Sequence, residues 1–182
     1  GTNYVPANRT VTVQVLPAPL TVTADNQTRE FGQPNPGLTV SFSGFVNGET
    51  SAFLDAQPTL STLADTSSGL GNYPITVSGA AAANYSVTHV PGTLNVFGRA
   101  PLIISHPLSQ AAVAGSNVSF TNITIGTAPL HYQWRRESGL IAGATNSIFT
   151  ITNVNPLDAG AYDVVISNVA GSAVSFPLLL DV

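Results

Sequence analysis

Pro19-Leu20-Thr21-Val22-Thr23-Ala24-Asp25 sets an apolar side chain at every second position with threonine between. Successive strand side chains point to opposite faces, whereas a helix repeats its apolar stripe every three to four residues, so this period of two predicts a half-buried β-strand. The same alternation runs through the chain. Upstream, Val11, Val13 and Val15 alternate with Thr10, Thr12 and Gln14. Downstream come Leu38/Val40/Phe42, Tyr73/Ile75/Val77, Tyr85/Val87/His89 and Leu94/Val96. The breaks between these runs carry turn chemistry, in Gly32-Gln33-Pro34-Asn35-Pro36-Gly37, Asn47-Gly48, Ser68-Gly69 and Pro91-Gly92. One stretch, from Asn47 to Leu54, predicts a helical turn capped by Asn47 or Thr50. The expected fold class is all-β.

At 182 residues the chain suits two domains, because one core usually serves about 100–150 residues. Hydrophobic residues make up 43% and charged residues 8%, against about 25% charged in a typical soluble protein. Thr, Ser, Asn, Gly and Pro fill the difference, which predicts an uncharged polar surface. No window approaches the roughly 20 apolar residues of a membrane span. Net charge is −4, lysine is absent, and the five basic residues are Arg9, Arg29, Arg99, Arg135 and Arg136. So sparse a cation set argues against nucleic acid and against an anionic membrane surface. The absence of cysteine excludes disulfides, thiol catalysis and Cys-ligated metal.

Phe97-Gly98-Arg99-Ala100-Pro101 reads as a domain boundary, and Leu16-Pro17-Ala18-Pro19 as a second one. Both are short and carry proline, which limits bending. The expected organisation is a strand within residues 1–16, a β domain over 17–97 and a second over 98–182. The chain opens at Gly1 inside what reads as a strand, which predicts a processed product or a slice of something longer.

Residues 20–96 resemble the bacterial MBG domain of the Tyr-Gly signature type. The matching segments are Pro19 through Asp25, Phe31-Gly32-Gln33-Pro34-Asn35-Pro36, Gly44-Phe45-Val46-Asn47-Gly48-Glu49-Thr50, Gly71-Asn72-Tyr73-Pro74-Ile75-Thr76-Val77, and Asn84-Tyr85 on to Pro91-Gly92-Thr93-Leu94-Asn95-Val96. Phe31 stands where the family has Tyr, which removes one hydroxyl. The resemblance implies tandem extracellular repeats of large bacterial surface proteins, without known catalysis. Residues 1–16 look like the closing strand of a preceding Ig-like repeat, in Thr2-Asn3-Tyr4-Val5-Pro6-Ala7 and Thr10 to Val15.

Residues 100–182 resemble a bacterial immunoglobulin-like domain of the I-set type. Trp134 lies in the alternating run Leu130-His131-Tyr132-Gln133-Trp134, where the family carries its core tryptophan. Asp158-Ala159-Gly160-Ala161-Tyr162-Asp163-Val164 matches the corner before strand F, with Tyr162 as the tyrosine-corner residue. Gly115, Val118 and Phe120 fit strand B, and Phe149 and Ile151 fit strand E. Val174, Phe176, Leu178, Leu180 and Val182 fit strand G. The positions of the usual inter-sheet disulfide read Asn122 and Val164, so Trp134, Tyr132, Phe120 and Phe149 must pack without it. Asn122 falls on the inward alternation from Phe120. The favoured expectation is a bulge near Thr121–Ile123 that turns Ile123 inward, since an unpaired buried amide costs about 1–3 kcal/mol.

The search for chemistry assigns no catalytic, cofactor-binding or metal residues. His89, His106 and His131 lie far apart without a second ligand at metal spacing. Asp25 with Glu30, and Asp158 with Asp163, flank turns; paired carboxylates can act as acid and base or hold calcium, but neither pair has calcium-loop spacing. Gly69-Leu70-Gly71 leads into a strand, so it is no dinucleotide fingerprint. Asn-x-Ser/Thr sequons stand at Asn8, Asn26, Asn84, Asn117 and Asn122, at a rate chance explains in this composition. Tyr4, Tyr73 and Tyr85 lie in register with apolar neighbours, which favours core packing over sugar stacking. The expected protein is a non-enzymatic, extracellular or cell-surface bacterial module, a spacer or fibre-forming segment. Its partners would be other copies of itself or neighbouring repeats, joined head to tail by strand addition. The alternative is an adhesin that binds carbohydrate or protein.

Overall fold

A computed structural model describes residues 10–182. The expected strand at residues 2–7, with Tyr4, lies outside the described residues. The N-terminal half supplies β1 (Ala18–Ala24), β2 (Gln27–Glu30), β3 (Val40–Ser43), β4 (Thr59–Thr62), β5 (Gly71–Ser78), β6 (Tyr85–Val90) and β7 (Gly92–Phe97). The C-terminal half supplies β8 (Leu102–Ser105), β9 (Gln110–Ala111), β10 (Val118–Phe120), β11 (Ile123–Ile125), β12 (His131–Arg136), β13 (Gly139–Leu140), β14 (Phe149–Ile151), β15 (Gly160–Asn168), β16 (Gly171–Val174) and β17 (Leu178–Asp181). Contacts gather the chain into two units that do not follow sequence order. The first holds residues up to 25, 38–61 and 75–92; the second holds 26–37, 62–74 and 93–182.

In the first unit β1 lies between an antiparallel β3 and a parallel β6. Leu20, Val22 and Ala24 are buried, as their alternation requires. The chain leaves β3 through Gly44, at φ +114°, where a Cβ would lie 2.3 Å from the Pro19 carbonyl oxygen. Only glycine allows that approach. It delivers Phe45 edge-on to Tyr85, with centroids 5.6 Å apart. The Tyr85 hydroxyl donates to Glu49 Oε2 at 2.5 Å and accepts the Val46 N–H at 3.1 Å. The hydrogen bond to that carboxylate raises the phenol pKa. The expected helical turn is a single 3-10 turn at Ser51–Phe53, capped by Thr50.

The strand expected at Thr10–Val15 is not there: residues 10–17 form no strand, and Val11, Val13 and Val15 are 73–87% exposed. Alternation prepares a segment for a sheet, but a strand exists only where a neighbour pairs its backbone. Among the described residues no strand lies beside this segment.

The first half's other sheet runs β2-β7-β5-β4. In the second unit β2 pairs with β7 in parallel, from Gln27↔Leu94 to Glu30↔Phe97. Arg29 is only 5% exposed. Its Nε donates to Asn35 Oδ1 at 2.7 Å, and its terminal nitrogens reach the Glu30 and Asp65 carbonyls. Asn35 Nδ2 in turn donates to the Ala64 carbonyl at 2.6 Å. A buried cation is thus satisfied by neutral oxygens, and the Gly32–Gly37 turn is tied to the loop after β4.

The C-terminal half is an immunoglobulin-like sandwich. One sheet runs β13-β12-β15-β17-β9, with β16 also on β15; the facing strands form the pairs β10-β14 and β11-β8. Trp134 and Phe120 are fully buried, and ring centroids link Phe120, Trp134, Phe149 and Tyr162 at 5.6–6.4 Å. Trp134 Nε1 donates to the Asn146 carbonyl at 2.9 Å. The Tyr162 hydroxyl donates to the Asp158 carbonyl at 2.7 Å, which closes the tyrosine corner.

Two details differ from expectation. The register does shift between Ile123 and Thr124, yet Ile123 is 61% exposed rather than turned inward. Asn122 keeps the inward side, half-buried, because its amide is satisfied: Nδ2 donates to the Ser147 carbonyl at 3.1 Å and Oδ1 accepts the Thr124 hydroxyl at 2.8 Å. In strand G, Leu178 and Leu180 are buried but Val174 and Phe176 are exposed. The alternation slips at Ser175-Phe176-Pro177, where Pro177 has no N–H for the ladder. Ser175 turns inward instead, and its hydroxyl accepts the Val164 N–H at 3.1 Å and donates to the Phe176 carbonyl at 3.0 Å.

Trp134→Ala leaves a cavity at the centre of the aromatic cluster and is expected to destabilise by about 3–5 kcal/mol. Urea denaturation followed by far-ultraviolet circular dichroism measures it; an unchanged midpoint would contradict the central place given to Trp134.

Candidate functional site

Within the second unit, chain segments distant in sequence meet at Thr127, which is 4% exposed. Its hydroxyl accepts the Arg99 N–H at 2.7 Å and donates to Glu30 Oε1. One O–H and the oxygen lone pairs suffice for both bonds. The Thr127 backbone N–H donates to the Arg99 carbonyl at 3.0 Å. Asn168 Nδ2 bridges from the other side, donating to the Arg99 carbonyl at 2.7 Å and the Thr127 carbonyl at 2.8 Å. Asn168 Oδ1 meanwhile accepts the N–H groups of Ala170 and Gly171 at 2.9 and 3.1 Å. The residues that read as a linker are therefore bonded on both sides.

Local sequence explains the close fit. Gly126 has φ +157°, and a Cβ there would lie 3.1 Å from Pro101 Cα and 3.2 Å from the Ala100 carbonyl oxygen. Glu30 is brought to the spot by the β2-β7 pairing, which sets it opposite Phe97 just before Gly98 and Arg99.

The residues singled out for chemistry are dispersed. His89 is exposed on β6 and His131 at the start of β12. His106 stacks on Phe176 at 4.0 Å, and its Nδ1 accepts the Phe176 N–H at 2.9 Å. Asp25 accepts the Ser41 hydroxyl at 2.5 Å, which together with Thr39 lowers its pKa. Glu30 belongs to the Thr127 joint. Asp158 caps its own 3-10 turn by accepting the Asn155 N–H at 2.9 Å. Asp163 holds Arg135 through two oxygens at 2.6 and 2.7 Å, a forked pair that raises the guanidinium pKa. Asp158 and Asp163 thus face different partners. Among the described residues no three His, Asp or Glu gather where a metal ion could sit. Tyr73 donates its hydroxyl to the Gly69 carbonyl at 3.0 Å, and Tyr85 is buried. Sequence reading passed over Thr127 and Asn168, since residues 30, 99, 127 and 168 share no motif or spacing.

Residues 20–95 match the family described as "MBG domain (YGX type)". A mouse protein, "WAP, Kazal, immunoglobulin, Kunitz and NTR domain-containing protein 2", is 28% identical over 109 residues, or 52% of this chain. The chain spans 19% of that relative's length. Among solved structures, the tandem Ig repeats of Dlar share 15% identity over 90% of this chain and 97% of theirs, with a TM-score of 0.44. Extracellular domains 3 to 5 of Drosophila OTK share 15% over 88% of this chain and 59% of theirs, with a TM-score of 0.45. A titin domain shares 22% over 47% of this chain and 98% of its own, with a TM-score of 0.42.

Thr127→Val keeps the shape but strands the Arg99 N–H and removes the donor to Glu30. The expected loss is about 1–3 kcal/mol in urea denaturation, and Thr127→Ser should restore most of it. Equal stability of all three proteins would show that the hydroxyl does not hold the joint.

Proposed function

We propose that this chain, whose residues 20–95 are an MBG domain and whose C-terminal half is an immunoglobulin-like sandwich, is a structural spacer of a bacterial surface or filament protein. Both folds are non-enzymatic and typical of extracellular proteins, and no helix among the described residues is long and apolar enough to cross a membrane. The observation that carries the reading is the Thr127 joint. A spacer must pass a pull along its length without hinging, and that needs bonded connections where one β element hands over to the next. Here the handover residue Arg99 has its N–H and its carbonyl both engaged, by Thr127 and Asn168. The bonds on the Arg99 backbone are neutral and so little affected by changes in salt, which suits this task outside a cell. The partners in this reading are neighbouring repeats or further copies of the chain, and the chain carries out no reaction.

Amide relaxation measured by NMR tests the joint in solution. Residues of β2 and β7 should share one rotational correlation time with residues of β12 and β15. Glu30→Gln combined with Thr127→Val should let the two sets diverge. Independent tumbling in the unaltered protein would overturn the spacer reading, and a reproducible hit on a glycan array would favour an adhesin instead.

A further inference from the structure

We propose that the outer edge of β6 receives residues 10–15 of a second copy of this chain as an added strand. The inference rests on the structural reading above and names the surface through which copies would join. Among strands that end a sheet in the described residues, β6 is the longest, with six residues against four or fewer. Natural sheets protect such edges with charge, proline, bulges or short length. Tyr85-Ser86-Val87-Thr88-His89-Val90 contains no Lys, Arg, Asp or Glu, no proline and no glycine. Its inner side is fully taken by β1, from Ala18↔Tyr85 to Thr23↔Val90, and among the described residues no strand lies on its outer side.

The face of the sheet points to the same occupant. The pairing sets buried Leu20 beside Val87 and buried Val22 beside His89, but Val87 is half-buried and His89 exposed. The apolar layer therefore stops short at β6. An added strand with valine at every second position would continue it, and Thr10–Val15 offers Val11, Val13 and Val15, all highly exposed. Six residues meet six, and neither segment brings a charge that would oppose the other.

In this proposal a separate copy donates the strand. The chain's own β1 is already on the inner side of β6 at Ala18. Residues 10–15 would have to reach a position two strand spacings away, each about 4.8 Å, with Leu16 and Pro17 fully extended across the chain entering β6, and in their own chain residues 10–17 form no strand. Donation from one copy to the next is head to tail, so its repetition builds an open filament.

The absence of cysteine allows a direct test. Val11→Cys, Val13→Cys and Val15→Cys serve as donors, His89→Cys as acceptor, and Ser43→Cys on β3 as the control edge; all five positions are exposed. Full-length single-cysteine proteins are mixed pairwise under mild oxidation, and sedimentation velocity of the unaltered chain is recorded over the same concentrations. One donor should form mixed disulfide dimers with His89→Cys several-fold more than with Ser43→Cys, and the unaltered chain should sediment as growing assemblies. Equal or greater coupling to Ser43→Cys, or a chain that stays monomeric throughout, overturns the proposal. A monomer with a single rotational correlation time would still satisfy the spacer reading, so the two can fail separately.

Discussion

A sheet protein must find a partner for every backbone N–H and C=O that it takes out of water. In this chain neutral side chains complete much of that task where the ladders stop. Thr127 and Asn168 close the joint, Asn122 closes the end of strand B, Ser175 closes the break in strand G, and Asn35 closes a turn. Arg29 fits the same rule, since its positive charge ends on carbonyl and amide oxygens. The scarcity of charge and the wealth of Thr, Ser and Asn thus belong to one design. Among the described residues no buried side-chain polar atom lacks a hydrogen-bond partner.

The same economy explains how a disulfide is done without. Where the immunoglobulin pattern has its two cysteines, Val164 is fully buried and Asn122 is half-buried and bonded. The four-ring cluster of Phe120, Trp134, Phe149 and Tyr162 fills the space between the sheets. Apolar area and ring contacts there offset the chain entropy that a cross-link would have removed.

Local pattern carried most of the fold. Period-two alternation located β1, β5, β6, β7 and β12, and the run from Asp158 to Val164 located the tyrosine corner, because those features depend on neighbours in sequence. Errors arose where a distant partner decides. Alternation at Thr10–Val15 announced a strand, but no strand among the described residues pairs with it. Ile123 followed the strand's parity outward because the Ser147 carbonyl, far along the chain, satisfied Asn122. Val174 and Phe176 lost their inward side to a single proline. The joint was invisible for the same reason, since Glu30 meets Thr127, and Thr127 and Asn168 meet Arg99, only through pairing set elsewhere.

The joint also bears on how such a chain resists proteolysis. Secreted proteases of the trypsin kind cut after lysine or arginine and need the peptide extended and free in their cleft. There is no lysine to cut. Arg29 is buried, while Arg135 and Arg136 sit within β12. Arg99 is exposed and lies in what reads as a linker, the usual place for a nick. Yet its carbonyl, the group a protease must polarise, is held by Asn168 and by the Thr127 N–H. The bonds that stiffen the handover also hold the Arg99–Ala100 peptide back from digestion.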